Sequence, residues 1–216
     1  MGRYFPIQWG VRSAAVKMVA TLLVTLGFVT MSRDAIAGIS GSVHDFSGIG
    51  GEGCDFCHIS HRKDPTPGSN LPLWNHEITT ASFTLYGNSP TLDATDITQP
   101  DGASKMCLSC HDGTVAVDSF GGSTGTYFIT GSALIGTDLS NDHPIYFTYD
   151  TILASDDGEL HDPASTNTVL GGTIQDDLLI HDKMECNSCH NIHSNTPALL
   201  VIDNANSALC LTCHNK

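Results

Sequence analysis

The sequence predicts a mostly irregular, loop-rich domain. Its expected elements are a helical turn or short helix at each of four cysteine pairs, a few short strands and long loops. Three observations predict it. All eight cysteines fall into four Cys-x-x-Cys pairs, Cys54/Cys57, Cys107/Cys110, Cys186/Cys189 and Cys210/Cys213. Glycine, serine, threonine, asparagine and aspartate are abundant, and no long apolar stripe of helical period runs through the chain. The 216-residue chain is long enough to bury an ordinary apolar core, yet the periodic segments that would build one are missing.

Each pair is followed at once by a histidine, namely His58, His111, His190 and His214. C-x-x-C-H is the attachment signature of c-type haem. The two thiols add across the vinyl groups of the porphyrin, and two intervening residues let one turn of chain match their separation. The adjacent imidazole then reaches the iron from the same face. Structural zinc is the first alternative, but zinc sites do not ask for a histidine beside the second cysteine four times over. Redox dithiols would want a βαβ pattern around them. A disulfide within C-x-x-C closes too short a loop to stabilise much. Four motifs that exhaust the cysteines point to four covalent haems, with His58, His111, His190 and His214 as proximal iron ligands.

Haem is joined to cysteine outside the cytoplasm in bacteria, and residues 1–37 read as the matching export signal. Arg3, Arg12 and Lys17 form a basic start, "MVATLLVTLGFVTM" (18–31) is apolar, and "AIA" (35–37) is a small-x-small cleavage site. A membrane anchor is the competing reading. The run is short for a bilayer span, and Arg33 and Asp34 end it before the cleavage site. The expected mature chain is one domain, residues 38–216, with no later segment of spanning length. Its location is extracellular or at the outer cell surface, with the periplasm as the alternative. The whole chain carries a formal charge of −14, and beyond residue 37 the balance is 5 basic against 22 acidic residues, or −17. Such a charge disfavours nucleic acid and anionic lipid as partners. It suits a cationic partner, divalent metal or simple solubility.

Along the mature chain, about 45 residues serve each macrocycle, so the haems must supply much of the core. The expected fold class is a haem-cored multihaem cytochrome c. Short strands are expected at "TYFIT" (126–130) and "PIYFTY" (144–149), where β-branched and aromatic residues cluster. A long Gly- and Asp-rich insert, 112–185, separates the second motif from the third. Asp93, Asp96 and Asp101 lack the spacing of a calcium loop and read as solvated.

The first and third motifs extend to C-x-x-C-H-x-x-H, "CDFCHISH" (54–61) and "CNSCHNIH" (186–193). His61 and His193 lie three residues beyond the proximal ligand, on nearly the same side of a helical turn. Neither can pass round to the far face of its own haem, so as a ligand each serves a different one. A surface or hydrogen-bonded histidine is the plain alternative. Beyond the four proximal histidines, seven of the 11 remain: His44, His61, His76, His143, His161, His181 and His193. Bis-histidine ligation of every iron is therefore affordable in number. Met106 and Met184 sit beside attachment cysteines, badly placed to cross to a far face. Six-coordinate iron of this kind carries electrons and leaves no open position for substrate.

These motifs resemble the exported multihaem cytochromes with doubled C-x-x-C-H motifs, and within them the OmcE-type tetrahaem cytochromes of dissimilatory metal-reducing bacteria. The likeness is carried by "SVHDFSG" (42–48), "PLWNH" (72–76), "CLSCHDGTVAVDSFGG" (107–122), "NDHPIYFTYD" (141–150), "CNSCHNIH" and the terminal "CLTCHNK" (210–216). The resemblance implies His44 and His143 as distal ligands beside His61 and His193, with His76 in reserve; the Asp-rich surroundings of His161 and His181 place those two at the surface. It also implies polymerisation into extracellular filaments in which one distal histidine comes from a neighbouring subunit, for which His61 is the candidate. The partners it implies are other cytochromes, extracellular electron acceptors and further copies of the chain. A monomeric electron shuttle is the alternative, and a multihaem reductase, which needs a five-coordinate haem, is a third reading.

Overall fold

The computed structural model describes residues 38–50, 53–59, 73–87, 89–194 and 196–216. The expected signal segment, residues 1–37, and His61 lie outside the described residues. Most of the described chain is irregular, and its regular elements are short. They are α1 (Gly102–His111), β1 (Phe147–Thr148), α2 (Thr151–Asp157), α3 (Ile174–Leu178), β2 (Lys183–Met184), α4 (Cys186–Cys189) and α5 (Ala208–Cys213), with several 3-10 turns between them. No helix among the described residues is long and apolar enough to cross a membrane.

Local chemistry sets most of the boundaries. Asp150 caps α2 by accepting from the amides of Ile152 at 3.0 Å and Leu153 at 2.9 Å, and Gly158 ends the helix in the left-handed region at φ 74. Thr173 and Asp176 form a reciprocal capping box at the start of α3. β1 and β2 pair antiparallel, Phe147 opposite Met184 and Thr148 opposite Lys183. Asp96 braces this ribbon from a distant loop: its carboxylate accepts from Thr148 N–H at 3.0 Å and Oγ1 at 2.6 Å, and pairs with Lys183 Nζ at 3.2 Å. It is therefore a structural clamp, not simply a solvated loop residue.

The 112–185 insert is more organised than its composition suggested. Phe147, Tyr149, Ala154, Ile174, Leu178, Leu179 and Met184 from it pack with Ile202, Leu209 and Cys213 into one apolar cluster. A second cluster joins Phe83, Tyr86, Leu108 and Leu139. Of the two expected strands, only the centre of the second forms, at Phe147–Thr148. Residues 126–130 pair with no strand, because the Thr126 and Tyr127 amides donate to the Asp118 carboxylate, each at 2.8 Å. A side chain has taken the place of the partner strand.

α1 and α4 meet through Glu185, a buried carboxylate. It accepts from Ser104 N–H at 2.8 Å and Ser104 Oγ at 3.2 Å, in the first turn of α1 where unpaired amides and the helix dipole favour negative charge. Gly102, at φ 55, leaves room for it, since a Cβ there would lie 2.9 Å from Glu185 Oε1. Replacing Glu185 with Ala should destabilise the folded chain by about 2–4 kcal/mol, because charge-assisted bonds are lost and buried donors are orphaned. Glu185→Gln should cost less, about 1–2 kcal/mol. Denaturant unfolding of the two variants checks the order.

Candidate functional site

The four C-x-x-C-H stretches are built alike, although only three lie on helices. The first is a single turn, with His58 N–H donating to Cys54 O at 2.8 Å. The same i to i+4 bond recurs as His190 N–H to Cys186 O at 3.0 Å and His214 N–H to Cys210 O at 2.9 Å. The second motif occupies the last turn of α1. In the first three, a buried residue between the cysteines anchors the turn. Phe56 is buried between Phe46 and Phe120, at ring separations of 5.5 and 4.5 Å. Leu108 belongs to the second apolar cluster, and Ser188 is buried.

An extended segment then pins the histidine itself. His58 bridges antiparallel to Trp74, His190 to Leu200 and His214 to Leu160. For His111 the same service comes from Ile135 N–H, which donates to its carbonyl at 2.8 Å. The rings are oriented as well. Nδ1 of His111 lies 2.7 Å from Ala133 O, Nδ1 of His190 3.1 Å from Ala198 O, and Nδ1 of His143 2.9 Å from Pro144 O. A carbonyl can only accept, so Nδ1 carries the proton and Nε2 presents its lone pair, the arrangement that metal-binding histidines share.

The histidines also meet in pairs. Ring centres are 6.0 Å apart for His44 and His111, 6.2 Å for His58 and His193, and 6.3 Å for His143 and His214. A metal–nitrogen bond of about 2.0–2.1 Å on each side, with roughly 1.1 Å from nitrogen to ring centre, puts two imidazoles about 6.3 Å apart across one metal. The residues present therefore fit a bis-imidazole iron. Burial, with His111 and His190 close by, lowers the pKa of His44. Burial and His143 do the same for His214. Both shifts favour the neutral, ligating form.

The paired cysteines adjoin in chain order. Burial pushes the Cys57 thiol up to about 11 and that of Cys110 to about 12, the latter with Cys57 as a neighbour. Cys107 and Cys186 share a hydrogen bond that raises the first and lowers the second. Cys213 is pushed to about 12 by burial and by Cys189 and Cys210. The first motif thus lies beside the second, the second beside the third, and the third beside the fourth.

Other candidate residues have different surroundings. His76 is buried, with Nδ1 2.7 Å from Glu77 O, Nε2 2.9 Å from Ala116 O and 3.4 Å from Cys110 Sγ, so both ring nitrogens face backbone carbonyls. Met184 lies in the main apolar cluster. His181 is exposed and His161 half-buried. The supporting groups were not foreseen. Asp112, buried behind His111, accepts from Thr79 Oγ1 at 2.5 Å and Thr114 N–H at 2.7 Å. Tyr149 donates its hydroxyl to His161 O at 2.5 Å beside the fourth motif. Large residues between the cysteines, such as Phe56 and Leu108, were the available signal for the anchoring.

Residues 180–216 match the family described as Doubled CXXCH motif. No curated protein matches the chain. The family match covers the third and fourth motifs, indicates covalent c-type haem binding, and supports a multihaem c-type cytochrome, a class of electron carrier. Within one motif the two intervening residues should behave oppositely. Phe56→Ala should cost about 3–5 kcal/mol, as large-to-small core changes do. Exposed Asp55 should tolerate Ala within about 0.5 kcal/mol. Parallel unfolding curves, with haem absorbance followed alongside, check the contrast.

Proposed function

We propose that the chain is an exported electron-transfer protein carrying four c-type haems. Cys54, Cys57, Cys107, Cys110, Cys186, Cys189, Cys210 and Cys213 attach them. His58, His111, His190 and His214 bind iron on the proximal side, and His44, His61, His143 and His193 supply the distal side. The observation that carries this reading is the pairing of His44, His143 and His193 with proximal rings at 6.0–6.3 Å. Haem iron held between two imidazoles takes up and releases one electron at a time, and its closed coordination suits a carrier more than an enzyme. The chain's part is to hold each imidazole neutral and aimed, and to set the attachment points in an unbroken row.

Attachment of c-type haem takes place outside the cytoplasm, which supports export; the proposed destination, the cell exterior in preference to the periplasm, rests on the resemblance to OmcE-type cytochromes. The resemblance to OmcE-type cytochromes supports a further step, polymerisation into a conducting filament. His61 is the proposed ligand to a neighbouring copy, and other cytochromes or extracellular acceptors are the proposed electron partners.

Four thioether-linked haems should add on the order of 2.5 kDa to the chain under denaturing conditions, one for each attachment motif. Fewer than four retained haems, or bound zinc, would defeat the reading. His61→Ala should keep all four haems, since every attachment motif is intact, but fail to form the filaments that electron microscopy of the secreted wild type should reveal. Normal filaments from that variant would remove His61 from the subunit contact.

A further inference from the structure

We propose that the third motif completes the first: His193 is the sixth ligand of the iron attached at Cys54 and Cys57. That iron would thereby staple the amino-terminal arm to the carboxy-terminal half. The proposal rests on the multihaem reading above and adds which iron this histidine serves. His58 and His193 are far apart in sequence, yet their rings stand 6.2 Å apart with only 22° between planes, the separation that one metal spans.

The backbone around His193 is arranged to allow this. Its neighbour His190 is committed to its own motif, with Nδ1 3.1 Å from Ala198 O and the main chain bridged to Leu200. Asn191 then turns the chain, its Oδ1 accepting from His193 N–H at 3.0 Å and its carbonyl from Ser194 N–H at 2.9 Å. The His193 carbonyl accepts from Gly38 N–H at 3.0 Å, which ties the turn to the start of the domain. One four-residue stretch, 190–193, therefore serves two irons, His190 the third site and His193 the first. Among the described residues of the arm, the regular structure is the single 3-10 turn Ser47–Ile49. A ligand bond from the far half of the chain adds a tether to the ring stack of Phe46, Phe56 and Phe120.

The test compares His193→Ala in the intact chain with the same change in a Cys54→Ala/Cys57→Ala background that cannot attach the first haem. In the intact chain, mass spectrometry should still find four haems, one of them now high-spin and binding carbon monoxide. In the background lacking the first haem, His193→Ala should add no high-spin signal. His143→Ala should add one in both backgrounds, because its partner ring is His214. A high-spin haem from His193→Ala in both backgrounds would assign His193 to another iron. None in either would deny it a ligand role.

If His193→Ala fails to fold, His193→Met decides. A thioether in place of the imidazole should raise the potential of one haem, and only while Cys54 and Cys57 are present. Unchanged potentials would overturn the pairing. A wild-type chain without haem would instead sink the parent reading.

Discussion

On the proposed reading, an imidazole that is to bind iron must offer a neutral nitrogen in one fixed direction, and the histidines at the ends of the short turns would have to meet that demand. A four-residue turn cannot hold its last side chain rigid alone, because short helices are marginal and their final carbonyls lack partners. The chain answers by laying an extended segment against each histidine, Trp74 to His58, Leu200 to His190 and Leu160 to His214. Backbone carbonyls take the Nδ1 protons of His111 and His190. The abundance of irregular chain follows, since such segments must arrive from many directions and have no reason to be long.

The same demand explains how the protein core is divided. Two modest apolar clusters hold the chain from Phe83 through the fourth motif. The first motif depends on an aromatic stack of Phe46, Phe56 and Phe120. Polar groups close the gaps where charge is needed. Glu185 sits against the first turn of α1, and Asp112 lies behind His111 with two threonines. Each is buried and bonded, which is what makes a carboxylate tolerable away from water.

The local chemistry was legible in the sequence, and the long-range chemistry much less so. C-x-x-C-H is read within five residues, so the turns and their histidines could be placed without the fold. That His193 cannot reach round its own site also follows locally, from its spacing to His190, and its ring meets that of His58. Which imidazole faces which joins positions such as 44 and 111 or 143 and 214, separations that no periodicity encodes. The 126–130 segment misled because its β-branched and aromatic residues favour extended chain. Its amides had a nearer acceptor in Asp118. Composition likewise hid the packing of 112–185, where a few apolar residues at well-chosen places outweigh many glycines and aspartates.

The central claim is that imidazoles from distant parts of the chain close the coordination of attached haem irons. The most direct measurement is low-temperature electron paramagnetic resonance of the oxidised, undenatured wild-type protein, integrated against total haem. The account predicts that all the iron is low-spin with bis-imidazole g-values. Haem that is mostly high-spin, or low-spin with methionine character, would contradict it.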